Sequence, residues 1–176
     1  MGRDQVPAPG RRAGKGLRRA DQDRRRGARQ VRRARGAADL VRHHRRELRR
    51  RACGLGALSL AKDAKKAFEQ ALELDAKALD GSAYTSLGSL YYQVPGWPIG
   101  FGNDDKAREL LEKAIALNPE GIDSNYFLGD FLYRQGDTVG ARRALQKALR
   151  APARPERALA DEGRRKEIES LLAAMR

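Results

Sequence analysis

One spacing constrains this chain more than any other. Ala107, Leu111, Ala114 and Ile115 are followed, each 34 residues later, by Ala141, Leu145, Ala148 and Leu149. Within each copy the steps of four and three put the apolar positions on one face of a helix. Alanine alternates there with a large residue, so a second helix can approach closely while the leucine fills the space beside it. A partner with the matching shape precedes each copy: Tyr84, Leu87-Gly88 and Tyr91 before the first, and Leu128-Gly129 before the second. The unit is therefore a helix, a loop and a helix. One such unit cannot bury both its faces, and neighbours must stack.

The phase is interrupted twice. Leu128-Gly129 lies 41 residues after Leu87-Gly88 rather than 34, which leaves seven extra residues between Tyr91 and Ala107. Upstream, Ala64, Phe68, Ala71 and Leu72 copy the second helix 43 residues before Ala107, and the further two residues fall near Leu79-Asp80-Gly81. The chain then reads as a lone second helix followed by two whole repeats. Near Arg51-Ala52, where the missing first helix belongs, the sequence is Arg49-Arg50-Arg51-Ala52-Cys53.

This pattern of an aromatic, Leu-Gly, an aromatic and then Ala, a large apolar, Ala and Pro119 resembles that of tetratricopeptide repeat proteins over residues 61 to 150. More narrowly, Leu90-Tyr91-Tyr92, the loop Pro95 to Gly102, Asn125-Tyr126-Phe127 and Gly129-Asp130-Phe131 look like the bacterial family related to the periplasmic T component of TRAP transporters. The first resemblance implies an all-α helical-hairpin solenoid that binds a protein or peptide partner, or a small organic ligand, as a non-enzymatic scaffold. The second implies a transport-associated accessory protein, periplasmic where the true N-terminus carries an export signal. Both also imply that first helices line a groove. Thr85, Ser89 and Tyr92 from one helix, and Tyr126, Asp130 and Tyr133 from the next, would face the ligand, unless the tyrosines only bridge repeats. Chaperone-binding relatives carry Lys and Asn at these places, so no chaperone adaptor is expected.

The net charge of +14 is confined to one end. Residues 1 to 51 hold 19 Arg or Lys against 5 Asp or Glu, whereas the remaining 125 hold 18 against 18. Large apolar residues are too few in this tail to offset its ordering entropy, so residues 1–56 are expected to be a disordered basic extension, with a short marginal helix over Leu40 to Leu48. Three readings of it stand: an arm that binds nucleic acid or an anionic surface, a solvated extension, or out-of-frame coding of a GC-rich gene, which yields Arg, Gly, Ala and Pro and little Lys.

The inserted loop, Val94 to Gly102, contains two prolines and three glycines, which forbid a helix, together with Trp97, Ile99 and Phe101. The three apolar residues are expected to pack down on the helix ends. The rival reading makes Trp97 and Phe101 partner contacts. Its glycines lack the spacing of a phosphate-binding loop, and Asn103-Asp104-Asp105 reads as a helix cap rather than a metal site.

Neither a catalytic constellation nor a cofactor motif is legible. His43 and His44 lie in the Arg-rich stretch, and Cys53 is the single cysteine. No run approaches the roughly 18 apolar residues of a membrane span. The C-terminal stretch from about Asp161 to Met175 is amphipathic, with Ile168, Leu171, Leu172 and Met175 on one stripe and Arg164, Arg165, Lys166 and Glu169 outside it, as a capping helix requires. Six helices are thus expected, with Phe68, Leu87, Leu111, Leu128 and Leu145 in one continuous core. The open side of Ala64–Leu72 would make the protein marginally stable or self-associating.

Overall fold

The structure of the protein, a computed structural model, describes residues 28–29, 31–43 and 57–175. Two units divide between Arg33 and Ala34, and the repeats belong to the second. The described residues are all-α apart from turns and one isolated bridge in the inserted loop. The helices are α1 over 31–43, α2 Ala57–Asp75, α3 Ser82–Gln93, α4 Asp104–Leu117, α5 Ile122–Arg134, α6 Thr138–Leu149 and α7 Ala158–Ala174, with a 3₁₀ turn Pro155–Arg157 before α7.

α3 packs on α4 and α5 on α6 as hairpins, α2 lies against α3, and α7 closes the stack against α5 and α6. The two hairpins close by the same device. A Cβ added at Gly88 would stand 2.9 Å from Leu111 Cγ and 3.4 Å from the Ala107 carbonyl oxygen, and one added at Gly129 would stand 2.7 Å from Leu145 Cγ and 3.3 Å from the Ala141 oxygen. Ala107, Leu111, Ala141 and Leu145 are all fully buried. The 34-residue recurrence in sequence is therefore a recurrence of one close helix contact.

Local chemistry sets the helix ends. Asn103 accepts the Lys106 amide at 2.8 Å, and Asp137 accepts the Gly140 amide at 2.8 Å, each taking one of the donors that a helix start leaves unpaired. Asp104 and Asp105 add favourable charge at the start of α4. Gly81, rather than a side chain, precedes α3, and Leu79, Asp80 and Gly81 all have positive φ in the turn that carries the two extra residues. Between α4 and α5, Ser124 Oγ donates to the Asn118 carbonyl at 2.7 Å and Asn125 Nδ2 donates to the Pro119 carbonyl at 2.8 Å, so two buried polar residues of α5 lock the turn before it.

Three expectations are corrected. First, the core is two clusters rather than one. Phe68, Leu87 and Leu111 lie in the first, with Leu128 packed against it, while Leu145 lies in the second with Ile122, Ala148 and Ile168. α5 stands between them, giving Phe131 to the first and Ile122 to the second. Second, residues 31–43 are helical where a disordered tail is expected, and Ala37 and Val41 are buried in the same cluster as Ala64, Phe68 and Ala71. Third, the stripe Ala64–Leu72 is for that reason not open: Ala64, Phe68 and Ala71 are at most 1% exposed, which removes the surface proposed for self-association. The part of the expected Leu40–Leu48 helix beyond residue 43 lies outside the described residues.

Candidate functional site

The tyrosine expected to face a ligand from α3 is tied to α5. Tyr92 Oη donates to Asp130 Oδ2 at 2.7 Å, and Arg134 Nε donates to the same carboxylate at 3.2 and 3.3 Å. Arg134 also lies over the Tyr92 ring at 5.3 Å, and Phe131 packs beside that ring at 5.6 Å. Burial above all, then the charge of Asp130 and its hydrogen bond, push the Tyr92 phenol well above its ordinary value. A carboxylate only 9% exposed thus has its partners in place. Tyr92 thus bridges neighbouring repeats.

Asp130 also opens onto the next element. With Tyr126 it lines an open depression between α5 and α7, whose other wall is Lys166, Glu167, Ser170, Leu171 and Ala174. Burial raises the Tyr126 phenol, and the nearby Arg164 charge opposes that rise. Arg164 stacks over Tyr126 at 4.2 Å and over Phe127 at 4.8 Å, close enough for a favourable cation–π contact.

A set of ion pairs fixes α7 at this place. Arg164 Nε meets Asp123 Oδ1 at 3.1 Å, Arg154 Nη2 meets Asp123 Oδ2 at 3.1 Å, and Arg154 Nε donates to Asp161 Oδ1 at 3.1 Å. Arg154 Nη2 pairs with Asp161 as well. The hydrogen bond to Asp161 is the main influence raising the Arg154 guanidinium above its usual value, and burial opposes it. Arg165 donates to the carbonyls of Leu149 and Ala151. Arg164 and Arg165 therefore turn inward, although a capping helix was expected to leave them toward water. Sequence could not show this, because the partners lie 7 to 41 residues away and no short spacing relates them.

The remaining groove candidates separate. Thr85 is 3% exposed and lines a small polar recess with Ser82, Asn118, Ser124 and Arg154 rather than the depression. Ser89 is half-buried and donates to its own helix, at the Ser86 carbonyl, 2.8 Å away. Tyr133 is half-buried.

The inserted loop differs from the expected satellite cluster. Phe101 packs edge-on against Tyr91 at 5.6 Å and joins the first core cluster, but Trp97 is 91% exposed and Ile99 69% exposed. Backbone contacts organise the loop instead. Gly102 N–H donates to the Pro95 carbonyl at 2.9 Å, Gly100 N–H to the Gly96 carbonyl at 3.0 Å, and Asn103 N–H to the Tyr91 carbonyl at 2.8 Å. A Cβ at Gly102 would fall 1.9 Å from the Val94 carbonyl oxygen, so only glycine allows the two strands of the loop to approach this closely. Trp97, Tyr91, Phe101 and Lys106 border an open depression at the loop's base.

Among the described residues there is no group of three His, Cys, Asp or Glu placed to hold a metal, and no helix is long and apolar enough to cross a membrane. His44 and Cys53 lie outside the described residues. No curated protein matches the chain. Residues 100–174, from the end of the inserted loop to the end of α7, do match the tetratricopeptide repeat family. The glycine–leucine contact repeated in both hairpins agrees with that match.

Proposed function

We propose that the protein is a non-enzymatic interaction scaffold whose partner, a peptide segment of another protein or a small organic ligand, lies along the depression between α5 and α7. One observation carries the reading. The Asp130 carboxylate, set by Tyr92 and Arg134, forms a rigid polar point at the edge of an open concavity lined also by Tyr126, Lys166, Glu167, Ser170, Leu171 and Ala174. Preorganised polar groups orient a ligand at low entropic cost. Trp97, presented by the glycine-held loop, is a second contact for the same or another partner. The transport-associated role, with a periplasmic location, is the finer form of this reading, and it rests on the likeness of Tyr91-Tyr92, the Pro95–Gly102 loop and Tyr126 to that family.

A photo-crosslinking residue at Ser170, compared with one at exposed Glu112 on α4, tests the scaffold. The Ser170 probe should capture a discrete species, and Tyr126→Ala should abolish that capture. The second reading, a nucleic-acid or anionic-surface binder acting through the Arg-rich residues 1–51, is favoured only by the charge confined there. Because Ala37 and Val41 belong to the core, the discriminating deletion stops at residue 30. A scaffold keeps its capture at Ser170 after that deletion, whereas a basic binder loses part of its salt-dependent affinity. Capture that is indifferent to Tyr126→Ala and lost with residues 1–30 would reject the scaffold reading.

A further inference from the structure

Gly163 on α7 follows Gly129 on α5 by the same 34 residues that relate Ala107 to Ala141. At Gly88 and Gly129 the place of the missing side chain is taken by a leucine of the next helix, whereas a Cβ added at Gly163 would meet nothing within 4 Å. α7 thus has the glycine of a first helix and no leucine in its seat. One turn earlier on the same face stands Leu159, which is 87% exposed. This face is opposite the one that carries buried Asp161 and Ile168 into the domain.

A leucine knob and a glycine seat, one turn apart on one helix, are complementary to themselves. We propose that α7 pairs antiparallel with α7 of a second copy, Leu159 of each chain seating over Gly163 of the other. A two-fold axis makes both contacts at once, as an isologous interface requires. Charge selects the register. The axis that places Leu159 over Gly163 also brings Lys166 of one copy to the level of the other copy's 3₁₀ turn, which carries Glu156, and both side chains are exposed. Sliding the helices until the two Lys166 meet would set like charges face to face. Among the described residues Lys166 forms the exposed pair with Glu162 at 2.7 Å, which offers little competition. The contact is one helix wide, so the dimer is weak and concentration-dependent.

Sedimentation velocity of the full chain over the micromolar to millimolar range tests this. The 19.5 kDa chain should shift toward twice its mass as concentration rises. Leu159→Glu, which buries two charges per dimer, should raise the dissociation constant about tenfold or more. Glu156→Lys and Lys166→Glu should each weaken it several-fold, and the two together should restore the parent value. All three positions are exposed, so circular dichroism should report an unchanged fold. A chain that remains monomeric into the millimolar range, a dimer indifferent to Leu159→Glu, or a double charge swap without recovery would each overturn the proposal.

Discussion

Replacing Gly88 by alanine sets two known effects against each other at one contact. In a helix interior the change is worth about 1 kcal/mol in favour of alanine. The new Cβ, however, would stand 2.9 Å from Leu111 Cγ and 3.1 Å from Leu111 Cδ2, and Leu111 is fully buried. That is roughly 0.6–1.1 Å inside the favourable 3.5–4.0 Å separation of carbon atoms. Overpacking of this kind costs about 1–3 kcal/mol, so Gly88→Ala should come out destabilising by about 0–2 kcal/mol. Leu111→Ala alone should cost about 2–5 kcal/mol through lost burial and the cavity left behind. In the double variant the alanine methyl occupies part of that cavity and its clash is gone. The double variant should then be more stable than the sum of the singles implies, by about 0.5–3 kcal/mol, the range seen for residues in contact. Urea unfolding followed by circular dichroism at 222 nm, about 1–3 kcal/mol per molar in slope, resolves such a difference. Additivity within about 0.3–0.5 kcal/mol would mean that Gly88 and Leu111 are not in the contact described, and the packing scheme would fail with it.

The other predictions bear on the site. Trp97 should emit like an indole in water and be quenched freely by acrylamide, with a blue-shifted, protected emission counting against the exposed loop. Gly102→Ala should break the loop, because its Cβ would fall 1.9 Å from a backbone oxygen. Fast amide exchange at Gly102 and Asn103 should follow, and protection equal to the parent's would refute the close approach. Arg164→Ala should loosen α7 by about 1–3 kcal/mol, since it removes a charge-assisted bond to Asp123 and the stacking on Tyr126 and Phe127. Amide exchange in α7 that matches the parent would exclude that anchoring. The Tyr92 phenol is held above its ordinary value, so unfolding, which releases it to ionise, becomes favoured only at high pH. Its contribution should be intact below about pH 10 and fall as pH rises beyond it, and Tyr92→Phe should flatten that alkaline decline.

Much of this architecture was legible without coordinates because helix geometry turns a local spacing into a face. Ala107, Leu111 and Ala114, with their copies at Ala141, Leu145 and Ala148, could only be one side of a helix, and Gly88 and Gly129 could only mark a close approach. The cap at Asn103, and the inward stripe of α7 at Ile168, followed from the same short-range rules. What the tertiary structure decided was anything that depends on residues far apart in the chain. Ala37 and Val41 sit in an Arg-rich stretch whose composition argues for disorder, yet they are buried in the cluster that holds Ala64, Phe68 and Ala71, an apolar surface that composition does not record. Trp97 is outside although Phe101 packs against the core, in a loop whose glycines leave no room for a side chain where Gly102 meets Val94 and Pro95. In the candidate site, Tyr92 and Asp130 were nameable from sequence as positions on a face. Their bond, and the Arg154–Asp123–Arg164 set that holds α7 against α5, exist only because stacking places side chains 31 to 41 residues apart within about 3 Å of one another.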